Sequence, residues 1–194
     1  MVENIAFKKN CEDFVRNLIG TLPNRSATDS ALIDTPTRFS KMMQEQLAGE
    51  FVTNADIAEM YNKTFPYEYN SNNLILVDNI ECFSHCEHHL ALMYNMHVDI
   101  AYVPADRILG LSKFARIVDI ISKRLQTQEK MGADIMEVLK LILGQHTPII
   151  IKIRAEHSCM TARGIKKPGS YTQTIHENEV TEGMKQEFLE MVGK

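Results

Sequence analysis

An export signal, a membrane-spanning run and an excess of basic charge are all missing from this chain. The first ten residues, Met1 to Asn10, are already polar where a secretory leader would need an apolar centre, and no later apolar run is long enough to cross a bilayer. Those two absences predict a cytoplasmic protein without membrane contact. Lys and Arg number 21 against 25 Asp and Glu, a formal net charge of −4. That balance leaves no global footprint for nucleic acid, so any polyanion must be held by a local cationic cluster. Four cysteines in 194 residues fit reduced thiols better than a disulfide framework. There is no repeat and no low-complexity tract.

What is present, 44% hydrophobic and 24% charged residues, describes a globular domain with a real core and a smaller helical appendage. Cys11, Phe14, Val15, Leu18 and Ile19 recur at helical spacing between Phe7 and Leu22. A second helical pattern follows from Ala27 to Phe51, with Pro36 suited to a first turn and Arg38 beside it, and a short helix spans Ala55 to Asn62. The segment Pro66 to Asn73 reads as loop. Strands are predicted at Leu74–Ser84 and His97–Val103, paired as neighbours across the Cys86–His89 turn, with the reversal at Met93–Met96. The period then changes to 3.6, with Phe114, Ile117, Val118 and Ile121 on one stripe and Met131, Ile135, Val138, Leu139 and Ile142 on the next, ending at Gly144. Further strands are read from Ile149 and from Tyr171 to Ile175, and a helix from Thr181 to Val192 closes the chain. This order predicts an α+β fold, an antiparallel sheet with helices on one face, with a helical segment over residues 1–66 and the main domain over 67–194.

The chemistry concentrates at Cys86-Glu87-His88-His89. A cysteine and a histidine three positions apart converge on one ion if the backbone turns helically there. Cys86 and His89 meet that condition and leave His88 free for proton transfer. A third ligand must come from elsewhere. Ile149, Ile151, Ile153 and Ala155 share their parity with His157 and Cys159, so a strand continued through them predicts that the core face runs out into an imidazole and a thiol. Cys86, His89 and Cys159 would leave a zinc ion one open position, the pattern of a catalytic site, with His88 and His157 as acid–base candidates. Cys11 and Cys82 read as packed thiols. Ser112 falls where an N-cap is expected, and Lys113 and Arg116 in the turns after it suit anionic oxygens, although cations there are equally compatible with plain solvated surface.

Several blocks together resemble the GTP cyclohydrolase I family: Cys86–His89; Leu109–Lys113 with Arg116–Val118; Arg124–Glu129; His157–Cys159 followed by Ala162–Ile165; and Asp34-Thr35-Pro36 with Arg38. They occur in the family's order over most of the chain. The resemblance implies the tunnelling fold, in which strands of several subunits close a barrel, and a homo-oligomer, typically a decamer built as a dimer of pentamers, with sites at subunit interfaces. It also implies zinc on Cys86, His89 and Cys159, and hydrolysis of GTP at C8 to formate and 7,8-dihydroneopterin triphosphate. By the same resemblance Glu129 would anchor guanine, Gln128 would lie at the base, Arg38, Lys113, Arg116 and Arg163 would contact the triphosphate, and Ser112 would lie near ribose and phosphates. Between His89 and Ala101 the chain is one residue longer than the family pattern, and Asn95 stands near where glycine is usual. A related enzyme acting on another purine or pterin, or a zinc-stabilised nucleotide-binding oligomer with a closed site recruiting Cys82, would share much of this pattern.

Overall fold

In the computed structural model of the protein, which describes residues 4–69 and 73–193, the alternating run becomes strand β6 (Ile149–His157). Ile149, Ile151, Ile153 and Ala155 are fully buried in the main core. Successive side chains of a strand face opposite ways, so Ile150 points to the other face, where it joins Ala101 and Phe188 in a second, smaller cluster. β6 runs antiparallel to β3 (Ala91–Tyr102) and to β7 (Tyr171–Asn178), and β3 pairs antiparallel with β2 (Ile75–Cys86). The two-residue β5 (Leu125–Gln126) adds in parallel beside the end of β2, giving the order β5-β2-β3-β6-β7. β1 (Thr64–Pro66) and β4 (Arg107–Leu109) form a separate ribbon. Pro66, expected in a loop, ends one of its strands; residues 70–72 of that expected loop lie outside the described residues.

Both expected stripes form helices on the main-core face. α4 (Leu111–Ser122) buries Phe114, Ile117, Val118 and Ile121, and α5 (Gln128–Leu143) buries Met131, Ile135, Val138 and Leu139. Thr127 caps α5 by accepting from Lys130 N at 3.1 Å, and Gly144 ends it at φ +115°, which glycine adopts without a Cβ penalty. The closing helix α7 (Glu182–Val192) departs from the one-face expectation, because its Phe188 packs on Ala101 and Ile150 across the sheet. Among the described residues no helix is long and apolar enough to cross a membrane.

The chain reversal between β2 and β3 is not at Met93–Met96. It falls at Glu87–Leu90, and Met93–Met96 lies inside β3. There the pairing to β6 slips between Tyr94 and His97, and Asn95 takes φ +47°. The slip forms a bulge, and asparagine is among the residues that tolerate the left-handed backbone where glycine is freest.

A break between Ala48 and Gly49 divides the described residues into two compact units. The first holds α1 (Ile5–Gly20), capped by Asn4, and α2 (Thr35–Gln46), with Pro36 in its first turn and the Phe14 and Phe39 rings 6.3 Å apart. In the second, Gly49 N donates to Lys123 O at 2.9 Å, and Ile57 of α3 (Asn54–Tyr61) is fully buried in the sheet's core. A Cβ at Gly49 would collide with the carbonyl oxygens of Ile120 and Lys123, backbone atoms that cannot rotate away. Gly49→Ala should therefore lower unfolding stability by about 1–3 kcal/mol, the usual cost of overpacking, read as a lower urea midpoint at unchanged slope.

Candidate active site

Cys86 is the last residue of β2 and is buried. The chain turns immediately after it, with His89 N donating to Cys86 O at 3.4 Å and Leu90 closing the turn at φ +52°. Residues i and i+3 of that turn come together as their spacing predicted.

Cys159 arrives by another route. β6 stops at His157, and Ser158–Thr161 form a single helical turn, α6, closed by Ala162 N donating to Ser158 O at 2.9 Å. The expected strand through Cys159 is thus corrected: His157 keeps the core-face parity, whereas the thiol is delivered by the turn. The convergence is nevertheless the expected one, since ligand atoms of Cys86, His89 and Cys159 all lie within 4.8 Å of one another. Two sulfurs and one imidazole nitrogen form a borderline-soft donor set that could hold a metal ion of zinc's type. Cys82 is not part of this group. Burial, with the Asp119 carboxylate adding to it, pushes its thiol up to about 12, which keeps it protonated and a poor ligand.

The two remaining histidines have different surroundings. His88 is exposed, with Nδ1 3.6 Å from Cys86 Sγ. His157 is half-buried, and desolvation lowers its pKa while the Glu129 carboxylate pulls in the opposite direction. Its Nε2 lies 3.0 Å from Gln128 Oε1. Gln128 Nε2 faces the carbonyl oxygens of Ile153 at 2.9 Å and Thr172 at 3.3 Å and the hydroxyl of Thr174 at 3.3 Å, so this end of the amide is the donor. Oε1 then accepts, His157 must carry its proton on Nε2, and Nδ1 keeps the lone pair. Gln128, expected at the base, is 1% exposed with both ends of its amide engaged inside the protein. Its amide oxygen is the group that meets the His157 ring.

Glu129 is exposed in the first turn of α5. Arg163 is exposed too and donates to His89 Nε2 at 2.9 Å, so the lone pair of that nitrogen is engaged by the guanidinium. The helix start near Ser112 differs from expectation. Gly110 occupies the N-cap position of α4 without a side-chain cap, and Ser112 is the second helical residue, exposed. Lys113 Nζ stands 6.0 Å from the Tyr61 ring centroid, and Arg116 is exposed. Among the described residues no hydrogen bond joins Ser112, Lys113 or Arg116 to the cysteine cluster. In the first unit, Arg38 is exposed and pairs with Asp34 at 3.3 Å.

Residues that the sequence reading passed over lie directly behind these groups. Ser84 Oγ donates to Arg124 O at 3.2 Å and accepts from Gln126 Nε2 at 3.0 Å, which fastens β5 to the strand carrying Cys86. Glu156, on the parity opposite to His157, is buried as a carboxylate. A charged residue inside a strand of isoleucines was the available signal.

Two thiols and an imidazole gathered at one point, with a hydrogen-bonded histidine nearby, make a site that could hold a metal ion on an α+β scaffold. The sequence profile of the family described as GTP cyclohydrolase I matches residues 2–193. Relatives named GTP cyclohydrolase 1 include those of Clostridium acetobutylicum, 47% identical over 173 residues and 86% of each chain, and Clostridium botulinum, 47% identical over 170 residues and again 86% of each. A solved structure titled as the archaeosine synthase QueF-Like in the apo form superposes with a TM-score of 0.47 at 16% identity, covering 58% of this chain and 99% of that one, a likeness too distant to bear on function. The chain belongs to the GTP cyclohydrolase I family of enzymes.

Proposed function

We propose that this chain is a zinc-dependent GTP cyclohydrolase I, converting GTP to formate and 7,8-dihydroneopterin triphosphate at the head of pterin and folate biosynthesis. The observation that carries the reading is the meeting of Cys86, His89 and Cys159 within 4.8 Å in a member of this family. Zinc held by three protein ligands supplies Lewis acidity that makes water nucleophilic near neutral pH.

The remaining work falls to the chain's own groups. Attack at purine C8 needs N7 protonated, and His88, exposed beside Cys86, is suited to deliver that proton. His157, its pKa lowered by burial and its Nδ1 without a hydrogen bond among the described residues, is suited to take a proton and return it as the imidazole ring of the base and then the ribose open. C8 leaves as formate, and the ribose carbons rearrange and close the new ring. A carboxylate such as Glu129 accepts from both N1–H and the 2-amino group of guanine, a donor pair that adenine lacks. Arg38, Lys113, Arg116 and Arg163 would bind the triphosphate through dispersed cationic donors, with Ser112 near the ribose. We assign Ser112, Lys113 and Arg116, which make no hydrogen bond to the cysteine cluster among the described residues, to a site completed between copies in a decameric homo-oligomer. Two sheet edges open among the described residues support such an assembly: there β7 pairs with β6 alone, and β5 covers just the His85–Cys86 end of β2.

Zinc-loaded protein incubated with GTP should release formate and, after oxidation, a fluorescent pterin, while ATP should yield neither. Zinc-loaded protein producing neither from GTP overturns the reading. Gln128→Leu, near in volume but without the amide, should keep zinc and lower kcat by roughly ten- to a hundredfold, part of the ~10²–10⁴ that a positioned acid–base group supplies. A fall in KM affinity at unchanged kcat would instead return Gln128 to the base.

A further inference from the structure

Cys159 makes no side-chain hydrogen bond among the described residues, so its thiol is located by the backbone on either side of it. Both sides are tied to β3. Ser158 Oγ donates to Leu92 O at 2.7 Å, and the Thr161 hydroxyl lies 2.8 Å from the Tyr94 hydroxyl. Tyr94 in turn donates its single proton to Glu156 Oε2 at 3.3 Å, so Thr161 is the donor in the preceding bond. The same carboxylate accepts from Asn95 Nδ2 at 2.8 Å and from Gly169 N at 3.4 Å. Glu156 therefore clips the start of the Ser158–Gly169 segment, through Tyr94 and Thr161, to its end at Gly169.

This arrangement depends on the bulge. Neighbouring strand residues normally face opposite sides, yet Tyr94 and Asn95 both reach one carboxylate, because Asn95 sits at φ +47° where the β3–β6 register slips. Glu156 is 7% exposed and its hydrogen-bonding donors are all neutral. A buried carboxylate held in this way is costly unless its acceptor capacity is filled. Asn95 is the first of the donors that keep its carboxyl below the ordinary range against the opposing effect of burial, with Gly169, Tyr94 and the Arg154 charge adding to it.

We propose that Glu156 is the positioning residue of the Cys159 ligand, bridging the β3 bulge at Tyr94–Asn95 to both ends of the segment that carries the thiol. The inference rests on the reading of Cys86, His89 and Cys159 as a metal site and adds the device that holds its third member in place. Groups that orient metal ligands typically account for ten- to a hundredfold in affinity.

The test compares zinc and cobalt(II) affinity by competition with a chromophoric chelator, together with the thiolate-to-cobalt absorption band, in the full chain and three variants. Tyr94→Phe removes the link to Thr161, Glu156→Gln removes the charge at constant size, and Asn95→Gly removes one donor while keeping the left-handed backbone. Tyr94→Phe and Glu156→Gln should weaken both metals by about ten- to a hundredfold and reduce the cobalt band, and Asn95→Gly by a few-fold. Affinities within twofold of the unaltered protein, even with a lowered melting temperature, would make the network a stabilising tie only and overturn the proposal. Should Glu156→Gln fail to fold, Tyr94→Phe and Asn95→Gly still decide it. Unaltered protein that binds neither metal would overturn the underlying metal reading and this inference with it.

Discussion

Cys159→Ala should abolish tight zinc binding while leaving the fold intact. The thiol is half-exposed and outside the core, so its loss removes little packing, but it takes one of the three side chains that meet within 4.8 Å. Four-ligand zinc sites supply about 10–16 kcal/mol in all, and an equal share per ligand predicts an affinity loss on the order of a hundred- to a thousandfold. Turnover should fall with zinc occupancy and recover in part at high added zinc, because Cys86 and His89 remain joined through their own turn. Cys82→Ala is the matching control. Its thiol is packed against the core and pushed up to about 12, so that variant should retain zinc and lose only some stability. Chelator competition on both variants, with bound zinc measured by mass spectrometry, checks the pair. Full, tight zinc occupancy in Cys159→Ala would remove Cys159 from the ligand set.

The sheet and its helices were legible because their signal is periodic and local. Alternation through Ile149–Ala155 and the 3.6 period of Phe114–Ile121 each report a buried face without knowledge of what covers it. The ligand cluster was legible for a related reason: Cys86 and His89 are three residues apart, and Cys159 follows a strand whose direction was already read. Features made by tertiary contact were not. The reversal was misplaced to Met93–Met96 because Tyr94-Asn95 has turn-like composition, whereas in the structure that composition serves a bulge. Gln128 gave no sign that four partners on two strands, His157 among them, would occupy its amide. The clip on Glu156 joins residues more than sixty positions apart, and no window of sequence contains it.

Arg124→Met should produce the largest loss of stability, and its effect should reach the metal site. Arg124 and Asp134 are side chains only 9% and 12% exposed, joined at 2.8 Å. The same guanidinium donates to Gly49 O at 3.0 Å, Val52 O at 2.7 Å and Asn54 Oδ1 at 2.8 Å. Removing one member of a buried ion pair costs about 3–5 kcal/mol, and the lower figure applies here because Lys130 continues to pair Asp134 at 2.6 Å. Arg124→Lys should recover only a fraction, since a single ammonium cannot serve four acceptors spread over three segments. The deficit should also depend on pH. Burial raises the Asp134 carboxyl, but hydrogen bonds from Lys130 and Asn54 and the charges of Lys130 and Arg124 outweigh it, so the folded pKa lies below the ordinary value. Stabilisation from such a group is complete above the unfolded pKa near 4 and is lost as pH falls through the folded one. Urea midpoints of variant and unaltered protein should therefore differ most at neutral pH and converge in acid. Arg124 immediately precedes β5, which backs Cys86 through pairing with β2 and the bonds of Ser84 to Gln126 and to the Arg124 carbonyl. Loosening that anchor should weaken zinc binding in proportion to the lost stability, whereas an unchanged zinc affinity would show that β5 holds its place without the guanidinium.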